Sequence, residues 1–199
     1  MAMNPARFSQ LLLSTQFVVW VIYGVLAGMG HWPIGVAFGL LASICLLALE
    51  ASRHIKVKVM DWILLSYFVL AAIATFVIRS AMFPAYSSVI IWVLYAGVSW
   101  ASILLGAPFT LQYARESTPP EHWQSPGFIR ANQVITLAWC IAFTVNILLV
   151  TVALNPRDYP LLSGVLAPIL MMAAASIFTS RYTKLTRADA QAAGLAKEA

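Results

Sequence analysis

The sequence predicts an all-α, polytopic membrane protein, and three observations point there. Hydrophobic residues make up 61% of the 199 residues and charged residues 10%, with a mean hydropathy of +0.84. A soluble domain is about 45–50% apolar and about 25% charged, so this chain cannot clothe its surface for water. The apolar residues fall in six runs, each near the ~20 residues needed to cross a hydrocarbon core about 30 Å thick. Every backbone polar group in lipid must be satisfied internally, which favours helices. The strict alternation of a membrane barrel is absent. Composition thus excludes a soluble enzyme, a disordered tail and a nucleic-acid binder. The net charge of +5 does not reverse this, because the charges sit between the apolar runs.

The elements follow in order within a single transmembrane domain. The first span covers Leu11–Met29. Its apolar run is too long for a signal peptide and no soluble domain follows it, so an uncleaved helix is expected. The turn Gly30-His31-Trp32-Pro33 leads to the second span, Ile34–Ala51, and a cation-bearing turn, Ser52–Val59, follows. The third span is Asp61–Ile78 and the fourth Ser88–Leu105, with Asp61 and Ser87 as N-cap types. The fifth span is Val134–Leu154 and the sixth Leu161–Thr179, where Pro168 predicts a kink. A polar, alanine-rich tail follows Arg181. Cys45 and Cys140 both fall inside spans, so no disulfide framework is expected.

Charge placement orients the chain. With six crossings, one side holds ten cations: Arg7, Arg53, Lys56, Lys58, Arg115, Arg130, Arg181, Lys184, Arg187 and Lys197. The other side holds Arg79 and Arg157. The positive-inside rule then puts both termini in the cytoplasm. Aromatic belts agree, with Trp32, Tyr86, Trp92 and Tyr159 at the outer boundary and Trp62, Trp123 and Tyr182 at the inner one.

One cytoplasmic segment is long enough to do something, the connector over residues 107–133. It mixes aromatic and charged residues. Phe109, Tyr113 and Glu116 share a helical face, and Pro119-Pro120 breaks the chain before a second short turn. A short interfacial helix is expected there. Phe109, Tyr113, Arg115, Glu116, His122, Trp123 and Arg130 are its candidate contacts to lipid or a partner. On the fifth span Asn132, Thr136, Trp139 and Phe143 form one stripe, and Asn146 lies a turn beyond. These polar groups need partners in lipid, either as glue between helices or as the lining of a cavity. Gly24 with Gly28, Gly35 with Gly39, and Gly97 with Ala101 mark close helix approach, within the chain or with a second copy of it.

Catalytic signatures are scarce. The span interiors carry no ionisable residue. Glu50, at the end of the second span, has the spacing of a local pair with Arg53 and His54. No histidine pair is spaced for haem or zinc, and no nucleophile or phosphate-binding motif occurs. No cofactor and no metal are expected. Glu121-His122 could act as acid and base at the interface.

From the second span onward the chain resembles the intracellular septation protein A family of bacterial inner membranes. The residues that carry this are the turn Arg53-His54-Ile55-Lys56-Val57-Lys58, the run Val89–Gly97, Pro108-Phe109, Arg115-Glu116, and the progression Trp123, Asn132, Trp139, Phe143. The resemblance covers roughly three quarters of the chain and rests on no single diagnostic motif. Thr136 stands where the family carries asparagine. The resemblance implies a non-enzymatic role in cell-envelope biogenesis and septation, with membrane-bound division or elongation proteins as partners.

Three functions follow as expectations. The first is an inner-membrane protein that docks partners or lipids through residues 107–133. The second is a small-molecule or lipid transporter, because six spans with both ends inside also suit the membrane subunit of a vitamin-uptake system. The third is an interfacial lipid-modifying enzyme using His122 and Glu121.

Overall fold

The computed structural model describes residues 5–153 and 166–192, and among these the chain is helical with no strand. The order is α1 (Pro5–Gly28), α2 (Trp32–Ser52), α3 (Val59–Ala72) running on into a π-helical turn (Ile73–Val77), α4 (Phe83–Leu104), α5 (Thr110–Ala114), two 3₁₀ turns (Arg115–Ser117 and Pro120–His122), α6 (Pro126–Ala153) and α7 (Ala167–Ala192). Four stretches are long and apolar enough to cross a membrane: Trp32–Ser52, Val59–Val77, Phe83–Leu104 and Pro126–Val152. A shorter apolar stretch, Val18–Gly28, lies in α1. The sixth expected span begins at residues 161–165, outside the described residues, as do Arg157, Tyr159 and Lys197.

The second to fifth spans therefore stand close to where the sequence put them, with two shifts. α4 begins at Phe83 rather than Ser88, so Ser87 sits inside the helix and its hydroxyl bonds the Pro84 carbonyl (2.8 Å). The start is braced instead by Ser80, whose Oγ accepts the Phe83 N–H (3.2 Å). α6 begins at Pro126, so the last residues of the expected connector are helical. Proline at a first helical position loses nothing, since that N–H has no intrahelical partner. Pro168 falls in the first turn of α7 as described.

Helix ends show why the turns can be short. α1 closes with the His31 N–H on the Leu26 carbonyl (2.8 Å) and the Gly30 N–H on Ala27 (3.1 Å), with Gly30 at φ 82°. α4 closes the same way, Ala107 to Ser102 and Gly106 to Ile103 (both 2.9 Å), with Gly106 at φ 70°. This is the Schellman arrangement, and glycine enters its left-handed position without a Cβ penalty. α2 makes the same bonds, Ile55 to Glu50 and His54 to Ala51, but with His54 at φ 54°.

The chain divides into two compact units, Met1–Ser87 and Ser88–Ala199. In the first, α1 packs on α2 and α2 on α3. Its core is aromatic. Trp20 stacks on Phe68 (centroids 5.2 Å apart), and Tyr23 meets Trp32, Tyr67 and Phe68 edge-on at 5.2–5.9 Å. Two polar ties run through it: the Tyr23 and Tyr67 hydroxyls at 2.5 Å, and Trp32 Nε1 donating to Thr75 Oγ1 at 2.8 Å. Trp32, expected at the outer boundary, is thus a packing residue. Gly35 sits where a Cβ would press on Leu26 and Tyr23, and at Gly39 it would overlap the Phe68 ring. In the second unit α5 and α7 pack on α6, and Tyr95 of α4 stacks on Phe143 (5.3 Å).

The outward faces are apolar. Val21, Val25, Leu41, Ile44, Val77, Leu104, Ile141, Leu148, Ile169 and Leu170 are all exposed. Helices that are apolar on every side belong in lipid, where such faces carry no penalty. Cys45 is on such a face, whereas Cys140 is buried.

The glycines make a direct test. Gly39→Ala forces Phe68 out of place and lowers stability by about 1–3 kcal/mol. Gly97→Ala, where nothing lies within 4 Å of the added methyl, leaves stability unchanged. Thermal melts of both variants in one detergent check this.

Candidate functional site

The connector is a folded element rather than a linker. The Gly106 turn delivers Pro108 and Phe109 inward, and Phe109 is 5% exposed. Its N–H donates to Ser102 Oγ (3.2 Å) and its ring meets Tyr113 edge-on at 6.5 Å. Phe109, expected as a contact residue, is therefore spent on packing. One residue on, Thr110 anchors α5 to α6. Its hydroxyl lies 2.7 Å from that of Thr136 and 3.0 Å from the Asn132 carbonyl oxygen. Asn132 Nδ2 in turn donates to the Phe128 carbonyl at 2.9 Å.

Beyond α5 the chain turns at Thr118-Pro119 and returns with Trp123, whose Nε1 donates to the Thr118 carbonyl (2.8 Å). The Arg115 guanidinium lies over the Trp123 ring, 5.4 Å from its centroid. A cation on the face of an indole is held by the ring quadrupole. Arg115, Tyr113, His122 and Trp123 are half-buried, while Glu116 and Arg130 are exposed. At the start of α6, Gln124, Pro126, Gly127, Ile129, Arg130 and Gln133 line a wide, open depression. The candidate contacts thus divide: Phe109 faces in, Arg115 and Trp123 form the body of the loop, and Arg130 and Glu116 face out.

Two members of the stripe on α6 tie it to neighbouring elements. Thr136 meets Thr110, and Trp139 Nε1 donates to Thr179 Oγ1 of α7 at 3.0 Å. Phe143 lies against Trp92, Tyr95 and Trp139 at 5.3–6.1 Å. Asn146 differs. It is fully buried, and neither amide atom finds a hydrogen-bond partner among the described residues.

No family model, curated protein or solved structure matches this chain.

The first unit holds a polar group that the sequence reading did not assemble. Gln16, Glu50, Lys58 and Asp61 are 8%, 2%, 4% and 5% exposed. Asp61 is not the N-cap of α3. That place belongs to Lys58, whose N–H donates to Asp61 Oδ2 at 2.7 Å in a capping box. The other carboxylate oxygen accepts from Gln16 Nε2 of α1. One acid thus caps its own helix and ties down another. Gln16 was a polar residue inside an apolar run, which is the signal that could have found it. Among the described residues, no group of three His, Cys, Asp or Glu side chains is placed to hold a metal ion. Glu121 is exposed and His122 half-buried in the turn after Pro119.

Two substitutions separate satisfied from unsatisfied polar groups. Gln16→Leu removes a donor from a buried carboxylate and destabilises by about 1–3 kcal/mol. Asn146→Leu removes two buried polar atoms that have no partner among the described residues and is neutral or stabilising, by up to about 2 kcal/mol. Denaturation midpoints of the two variants move in opposite directions, or Asn146 does not move at all.

Proposed function

We propose that this chain is a multi-pass protein of the bacterial inner membrane, crossing six times with both termini in the cytoplasm. It acts without catalysis in cell-envelope biogenesis and septation, and docks membrane-associated partners through the connector at residues 107–133. The observation that carries this reading is the construction of the connector. A mere link between α4 and α6 has no need of the Thr110–Thr136 tie, the Trp123–Thr118 hydrogen bond or the Arg115–Trp123 stack. Together they hold a surface in fixed shape and leave Arg130 and Glu116 exposed beside an open depression.

Envelope biogenesis and septation rest on the resemblance to the septation protein A family, and the six crossings on the cation count. The acid at position 61 caps α3 and holds α1, a structural use of the one carboxylate that opens an expected span.

Replacing Arg115 and Arg130 together by glutamine reproduces the loss-of-gene phenotype in cell length or envelope-stress resistance, while the protein accumulates normally. Wild-type cells under that replacement would overturn the docking reading. Epitope tags at the two ends label from the same, cytoplasmic, face.

A further inference from the structure

α7 carries a second basic element next to the connector. Its first half is apolar and outward-facing, with Ile169, Leu170, Ile177 and Phe178 exposed. The helix then continues without a break through Arg181, Lys184 and Arg187 to Ala192. Helical geometry of 100° per residue sorts this extension into three faces. Thr179, Thr183 and Thr186 form one, which turns to the bundle: Thr179 accepts from Trp139, and all three hydroxyls bond carbonyls of their own helix. Phe178, Tyr182 and Leu185 form the second. Phe178 and Tyr182 stack at 5.5 Å with planes 13° apart, and Leu185 is 62% exposed. Arg181, Lys184 and Arg187 form the third, and all three are exposed.

An exposed leucine and a tyrosine beside three cations, on a helix continuous with an apolar stretch, make a basic amphipathic segment. Water penalises that stripe, whereas the acyl–headgroup boundary accommodates it together with the cations. The extension also touches the connector: Arg187 Nη2 donates to Ser117 Oγ at 3.4 Å, two residues from Arg115 on its Trp123 face. Acidic neighbours are few: Glu116 and Glu121 of the connector and Asp189 of α7 stand against Arg115, Arg130, Arg181, Lys184 and Arg187.

We propose that the Arg181–Arg187 segment of α7, with the connector beside it, is a binding site for the phosphate headgroups of anionic phospholipids. The apolar stripe seats among the acyl chains and the basic arc faces the phosphates. This deepens the docking reading by assigning part of the same inner rim to lipid, and it rests on that reading only for the side of the membrane.

The test uses the full chain in nanodiscs of nine parts phosphatidylcholine to one part phosphatidylglycerol. After brief detergent release, native mass spectrometry reads the lipids that stay bound. The wild type retains phosphatidylglycerol well above its share of the disc. One cation at a charged surface contributes about a fivefold preference, so Arg181→Gln/Lys184→Gln/Arg187→Gln lowers the enrichment at least tenfold. Arg181→Lys/Arg187→Lys keeps it, and so does Arg79→Gln, which removes a cation from a different loop. Circular dichroism confirms that each variant is helical and melts like the wild type. If the triple glutamine variant does not melt like the wild type, the single variants Lys184→Gln and Arg187→Gln replace it, each expected to lose several-fold. Equal retention of the two lipids by the wild type, or undiminished enrichment in the glutamine variants, overturns the proposal. If enrichment is absent but the Arg115/Arg130 phenotype stands, the rim takes a protein. If enrichment is present and the phenotype is absent, the lipid site stands without the septation reading.

Discussion

Lipid is as apolar as leucine, so no hydrophobic force drives these helices together. What fixes one helix against its neighbour is a small number of polar ties and close approaches. In the first unit they are Gln16 on Asp61, Tyr23 on Tyr67, Trp32 on Thr75, and the Phe68 ring lying where Gly39 has no side chain. In the second they are Thr110 on Thr136 and Trp139 on Thr179. Each makes one arrangement preferable to the many that would bury equal apolar area.

The same constraint shapes the end of the first unit where α2 turns into α3. Glu50, Lys58 and Asp61 are charged types almost fully enclosed. A carboxylate in that position is tolerable because both its oxygens are engaged, one by the N–H of the residue that starts α3 and the other by an amide from α1. The group terminates a helix and closes a helix pair at once. That double duty explains why an acid stands at the edge of an apolar span where a serine would suffice as a simple cap.

How much of this was legible depended on the range of the interaction. The apolar runs read directly, because span length is set by bilayer thickness. Gly30 announced a helix end, and Pro119-Pro120 the break in the connector; Gly106 drew no attention. Polar stripes on a single helix, such as Asn132 to Asn146, were visible as stripes. Their partners were not: nothing local links Trp139 to Thr179, or Thr110 to Thr136, across 40 and 26 positions. Helix starts were misjudged by a few residues: Ser80 rather than Ser87 braces α4, and Asp61 caps α3 from inside its first turn, with Lys58 at the N-cap place. Phe109 was read as an exposed contact from its neighbours' character, whereas the turn at Gly106 aims it inward. The glycine pairs looked alike in sequence. Only Gly35 and Gly39 are in close quarters, because only their face meets α1 and α3.

The tight ends of α1 and α2 carry a consequence for biogenesis. Because each helix hands over to the next within a few residues, the partners in the first unit are neighbours in synthesis as well as in space. α2 finds α1, and α3 finds α2, without waiting for distant chain. Loop closure in such hairpins costs little entropy, and contacts of short sequence separation form early. The amino-terminal three helices can therefore reach their mutual arrangement while the ribosome is still making α6.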